Sequence, residues 1–122
     1  MDFKNLLAYK KSFELAMMIF EVTKTFPKEE KYSLTDQIRR SSRSVSANIS
    51  EAYRKRIYPK HFISKLTDSD AENAETQTWL NFSLACNYID KKTFDNIIAL
   101  SYEVGNLINY MIKNPVKFGV KD

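Results

Sequence analysis

Leu34-Thr35-Asp36-Gln37-Ile38-Arg39-Arg40-Ser41-Ser42-Arg43-Ser44-Val45-Ser46-Ala47-Asn48-Ile49-Ser50-Glu51-Ala52-Tyr53 carries the periodicity from which the architecture follows. At 100° per residue, Leu34, Ile38, Ser42, Val45, Ile49 and Ala52 fall within about 40° of one line. That is the buried stripe of an amphipathic helix. Ser33 stands where an N-cap belongs, and Asp36 favours the first turn. The middle of the helix is rich in Ser and Ala, which lets a second helix approach closely.

The same period extends outward in both directions. Upstream, Tyr9, Phe13, Ala16, Met17 and Phe20 form one helical stripe, closed near Phe26-Pro27 because a proline disfavours helical geometry in the residue before it. Downstream, Pro59 suits the first position of a helix that starts with Phe62, Ile63 and Leu66 and ends with Trp79, Leu80, Phe82 and Leu84. Between these clusters, Thr67–Thr78 holds no large apolar residue, yet no Gly or Pro marks it as a loop. It reads as helix facing the small residues of the second helix. Asp90 caps a fourth helix with Phe94, Ile97, Ile98, Ser101, Val104, Gly105, Ile108, Met111 and Ile112 on its core face. The expected helices are Phe3–Thr25, Leu34–Arg56, Pro59–Asn87 and Lys91–Lys113, a single domain over 1–122. Short links make this an all-α, antiparallel up-down-up-down four-helix bundle.

Composition agrees and excludes several function classes. The chain has 122 residues, 43% hydrophobic and 28% charged, with only 2 Gly and 3 Pro. That is one globular domain with too few turn formers for a many-stranded sheet fold. The longest apolar run, Leu15–Phe20, is too short to span a bilayer, and the first residues carry no secretion signal, so no membrane is expected and the location is expected to be cytoplasmic. One cysteine, Cys86, and one histidine, His61, leave no disulfide, no zinc set and no Glu-x-x-His pairs for a di-iron centre. Cys86 is expected as a packed small side chain and His61 as a surface residue. With no nucleophile–base pair and no glycine-rich loop, the expectation is a protein without catalysis, metal or cofactor.

Charge carries the remaining signal. The net charge of +4 divides into +6 over residues 1–61 and −2 over residues 62–122. Arg39, Arg40, Arg43 and Arg54 lie opposite the buried stripe of helix two, spanning about 100° of the wheel. Lys55 and Arg56 extend the charge. Arginine suits bidentate contacts to phosphate and to carboxylate alike. Two readings stand open: phosphate contacts to RNA or DNA, or a structural scaffold in which these arginines pair with Asp68, Asp70, Glu72 and Glu75 of helix three. A polar layer is expected from Ser42, Ser46, Asn73 and Gln77, either setting helix register or holding a small molecule. Leu15, Met18, Ile19, Val22, Leu100 and Leu107 fall off the bundle stripes, and this surplus points to self-association.

The segment Gln37–Tyr53, with its lead-in Phe26-Pro27-Lys28-Glu29-Glu30-Lys31-Tyr32-Ser33-Leu34-Thr35, resembles the 23S rRNA intervening-sequence proteins, a family of four-helix bundles. Phe62, Leu66, Glu75 and Leu80 match positions on that family's third helix. Ser46, Ser50 and Ala52 stand where the family usually has Pro, Ala and Gly, changes that leave the helix intact or improve it, since Pro and Gly disfavour helix interiors. The resemblance implies a homopentameric ring with no established enzymatic activity. Some relatives are encoded inside insertions in large-subunit rRNA genes, and similar bundles are retroelement accessory proteins that bind nucleic acid through a basic surface.

Overall fold

The computed structural model describes residues 2–121. Four long helices run α1 Leu7–Thr23, α2 Leu34–Arg54, α3 Pro59–Ala85 and α4 Lys91–Lys113, with short 3-10 turns at Phe3–Asn5, Lys28–Glu30 and Pro115–Phe118. No strand occurs among the described residues. Cross-helix hydrogen bonds give the directions. Ser12 meets Ser46 while Arg39 reaches back to Thr23, so α1 and α2 are antiparallel. Ser41 meets Thr76 while Ser69 donates to the Val45 carbonyl, so α2 and α3 are antiparallel too. Each helix packs on its chain neighbours, and α1 closes the bundle against α4.

The segment without large apolar residues is continuous helix inside α3, and it does face the small-residue middle of α2. Expected boundaries hold within about two residues, except at the start of α1. There the chain makes a 3-10 turn, capped weakly by Asp2, and Leu6 is extended before the helix begins.

Local chemistry explains the links. Ser33 occupies the cap position of α2, but its hydroxyl does not cap. It donates to Glu30 Oε1 at 2.6 Å, and that same oxygen accepts the Leu34 N–H at 3.4 Å. Pro59 opens α3, and Asp90 caps α4 by accepting from Thr93 N at 2.7 Å. Asn87, left-handed at φ 61°, ends α3. Around it Tyr88 N donates to the Ser83 carbonyl and Asn87 N to the Leu84 carbonyl, the paired bonds of a Schellman motif. This turn delivers the Tyr88 phenol to Glu30 Oε2 at 2.8 Å, tying the α3–α4 link to the lead-in of α2.

The core contains Leu34, Ile38, Val45, Ile49 and Ala52 of α2, as the wheel predicts, with Phe62, Leu66 and Leu80 of α3 and Ile97, Val104, Ile108 and Met111 of α4. Helix α1 is turned relative to expectation. Its buried face is Ala8, Ser12, Leu15, Ala16, Ile19 and Thr23, while Phe13 is 52% and Met17 44% exposed. Leu15, Ile19 and Leu100 are therefore core residues rather than interface residues, and Met18, Val22 and Leu107 are half-buried against the core. This face buries without polar penalty, because the Ser12 and Thr23 hydroxyls donate to the Tyr9 and Ile19 carbonyls of their own helix. Cys86 is exposed, contrary to expectation; His61 is exposed as expected.

The polar residues also pair differently from a single layer between α2 and α3. Ser46 bonds Ser12 of α1, Ser42 donates to the Arg39 carbonyl of its own helix, and Asn73 and Gln77 reach Ser101 of α4. Gly105 packs closely nearby: a Cβ there would stand 3.3 Å from Asn73 Nδ2, a tight contact that would press on the amide.

Candidate functional site

Antiparallel packing sets the first turns of α2 beside the end of α1, and this fixes the basic side chains in two groups. Arg39 is half-buried and held from three sides. Its Nε donates to Thr23 Oγ1 at 2.8 Å, its Nη2 approaches the Phe20 carbonyl at 3.5 Å, and its guanidinium lies 4.9 Å from the Phe20 ring centre. Arg43, one turn on and exposed, lies 5.8 Å from the same ring. Such cation–π contacts orient a guanidinium without neutralising it. Arg40 is exposed and pairs with Asp36 at 3.4 Å. Arg39, Arg40 and Arg43, with Lys31, Tyr32, Thr35 and Ala47, line an open groove of about 610 Å³.

The second group sits at the far end of α2, about 16 Å along the axis from Arg43 at 1.5 Å per residue. Arg54 lies over the Phe3 ring, and Arg56 lies 3.6 Å from the Tyr53 ring centre while donating to the Tyr53 carbonyl. Gly119 accommodates Arg56: its φ is +93°, and a Cβ there would stand 3.0 Å from the guanidinium. Arg56 is thus half-buried under the C-terminal turn, and Lys55 is half-buried where α2 ends. The six basic residues do not all line one groove. Arg39, Arg40 and Arg43 share a groove that Arg54, Lys55 and Arg56 do not line.

None of these arginines pairs with Asp68, Asp70, Glu72 or Glu75 among the described residues. The ion pair between the two helices has the opposite polarity, with Lys65 of α3 on Glu51 of α2 at 2.9 Å. That pairing neutralises Glu51, an acid interrupting the basic face, and the Glu51 hydrogen bond and charge push the Lys65 pKa up. The acidic cluster itself is unrelieved. Partial burial pushes the Glu72 carboxyl up, and Glu75 and Asp68 push it further.

Sequence reasoning missed a second groove. Tyr32, Leu34, Gln37, Trp79, Phe82 and Cys86 line a hollow of about 400 Å³ between the start of α2 and the end of α3, bordered also by Glu30 and Ser33. Tyr32 is 85% exposed and lines both grooves. Phe82 is 52% exposed, and its ring lies 5.9 Å from that of Trp79 at a tilt of 35°, so two rings near the end of α3 form this wall. The signal available was Tyr32 itself, an aromatic residue in a charged link. Among the described residues, no group of three His, Cys, Asp or Glu side chains is placed to hold a metal ion, and no helix is long and apolar enough to cross a membrane.

No curated protein matches the chain. A crystal structure of a protein of unknown function from the S23 ribosomal protein family of Bacteroides thetaiotaomicron is similar, with 32% identity and a TM-score of 0.80, over 88% of this chain and 96% of that one. The family model described as 23S rRNA-intervening sequence protein matches residues 4–110. The chain therefore belongs to the 23S rRNA-intervening sequence protein family.

Proposed function

We propose that this protein is a non-catalytic, self-assembling helical bundle that binds nucleic acid through phosphate contacts from the N-terminal half of α2. The observation that carries the reading is the groove lined by Arg39, Arg40, Arg43 and Lys31. Arg39 and Arg43 have no carboxylate partner among the described residues, and Phe20 and Thr23 hold Arg39 in place. Arginines fixed this way lose little freedom on meeting a phosphate, and each contact releases counterions. Arg54, Lys55 and Arg56 contribute a second, more distant basic point.

Self-association rests on Phe13 and Met17, apolar side chains left exposed on α1 beside Tyr9 and Ala16. This patch takes the place of the surplus residues that the wheel indicated. The number five rests on the family resemblance alone. RNA and DNA are both compatible with phosphate contacts, and the cytoplasm is the compartment proposed.

The deciding experiment is binding of labelled RNA and DNA across a salt series, with wild type and an Arg39→Gln/Arg43→Gln variant. The expected result is affinity falling linearly on a log–log salt plot, with a shallower slope for the variant by about 1 per lost phosphate contact. Affinity indifferent to salt overturns the reading.

A further inference from the structure

We propose that the binding face takes a single polynucleotide strand rather than a duplex, with its phosphates along the arginine groove and its bases stacked on Tyr32 and in the Trp79–Phe82 groove. This rests on the nucleic-acid reading above and names its substrate class.

The two grooves differ in chemistry and meet at one residue. One is lined by Arg39, Arg40, Arg43 and Lys31; the other is walled by Trp79 and Phe82; Tyr32 belongs to both. Charge beside aromatic rings is the arrangement that holds single strands, because every unpaired base has a face to stack while its phosphate needs a cation nearby. A duplex keeps its bases stacked on one another and presents only phosphates and groove edges, so it gains nothing from the aromatic wall. Tyr32 is 85% exposed with Lys31 Nζ 5.3 Å from its ring centre, placing a cation and a stacking face on one link.

One further observation favours a ligand here: the acids bordering the grooves are already occupied. Glu30 accepts from Ser33, Leu34 N and Tyr88, and Asp36 pairs with Arg40. Gln37 leaves an exposed amide in the aromatic groove, able to meet a base edge.

Trp79 is the chain's only tryptophan, so its emission reports directly on the second groove. The experiment titrates the full chain with 12-mer oligo(U), oligo(dT) and a 12-base-pair DNA duplex, reading oligonucleotide anisotropy and tryptophan emission together. Both single strands are expected to bind more tightly than the duplex and to quench Trp79. Tyr32→Ala and Phe82→Ala, at exposed positions, should each weaken single-strand binding about 5- to 100-fold, and Phe82→Ala, whose ring lies outside the arginine groove, should leave the salt slope and the duplex affinity unchanged. Equal affinity for duplex and strands, unchanged Trp79 emission at saturation, or wild-type affinity in both variants overturns this inference while salt-dependent binding leaves the broader reading standing. Absence of salt-dependent binding to all three probes overturns both.

Discussion

Ser101 Oγ donates to Asn73 Oδ1 at 2.8 Å, and Asn73 Nδ2 donates back to the Ser101 carbonyl at 3.0 Å. Gln77 Nε2 adds a third bond, to Ser101 Oγ at 2.9 Å. Asn73 is 2% and Ser101 0% exposed, so no water competes for these groups. A fully paired buried amide costs little, but a half-paired one is expensive. Asn73→Ala is expected to destabilise the bundle by about 2–4 kcal/mol, combining lost hydrogen bonds with a small cavity. The Asn73→Ala/Ser101→Ala double variant should lose less than the sum of the single losses, because the two residues share their bonds. Denaturant melts of the three variants measure this; strict additivity contradicts a coupled pair.

Thr35 gives the opposite expectation. It is 8% exposed, and its Oγ1 is buried without a partner. Replacing an unpaired hydroxyl by a methyl of the same shape removes a desolvation penalty and no bond. Thr35→Val should therefore leave the melting temperature unchanged or raise it. Thr76→Val is the control, since Thr76 Oγ1 bonds both the Glu72 carbonyl and Ser41 Oγ. It should cost about 1–2 kcal/mol. Equal losses in the two variants would show that Thr35 is hydrogen-bonded in solution.

The Glu30–Tyr88 tie predicts a pH window. Hydrogen bonds from Ser33, then Tyr88, hold the Glu30 carboxyl below its usual 4.5. Its contribution to stability is complete above the unfolded value and fades as pH falls through the lower folded one. The hydrogen bond to Glu30 and burial push the Tyr88 phenol from 10.0 up to about 12. Its contribution is complete below pH 10 and fades as pH rises through about 12. Tyr88→Phe should therefore melt lower than wild type by a constant margin across neutral pH. The margin should close above pH 10 and shrink, without vanishing, on the acid side, where the Tyr88 hydroxyl still donates to the neutral Glu30 carboxyl. A margin independent of pH over the whole range would mean that the tie contributes nothing.

These sites show what periodicity can and cannot read. On α2 every stripe residue from Leu34 to Ala52 is buried, because apolar and small residues there coincide with one face. On α1 the same arithmetic selects the wrong face, since Phe13 and Met17 outweigh Ser12 and Thr23 on any hydrophobicity scale. Those two hydroxyls are silent in sequence because their partners are their own helix's carbonyls and, across the bundle, Ser46 and Arg39. The basic residues were legible as types but not as groups. How Arg39 and Arg56 are held depends on Phe20, Tyr53 and Gly119, side chains and a turn that folding brings to them. The aromatic groove was not legible, since Tyr32 and Phe82 are fifty residues apart and meet through the α2–α3 packing.

The exposed α1 face leads to the last prediction. Phe13 and Met17 are one turn apart, and with Phe3, Tyr9 and Ala16 they line a shallow groove of about 380 Å³ whose other wall is Arg43, Ser46, Ala47 and Ser50 of α2. Arg43 and Ala47 line the arginine groove as well, so apolar and basic surfaces adjoin on one side of the bundle. If copies associate through the apolar face, their arginine grooves come close together, and each copy adds a formal +4 to the shared field. Phe13→Glu and Met17→Glu place a charge on this face without entering the core, so monomer stability should change by no more than about 0.5 kcal/mol. Each should shift the protein toward the 14.3 kDa monomer in light scattering and weaken nucleic-acid binding most at low salt. Leu15→Glu is the contrasting control: Leu15 is fully buried, so that variant should unfold rather than dissociate. Wild type that is monomeric at high concentration, or assembly retained in both exposed-face variants, would remove this face from the interface and separate assembly from binding.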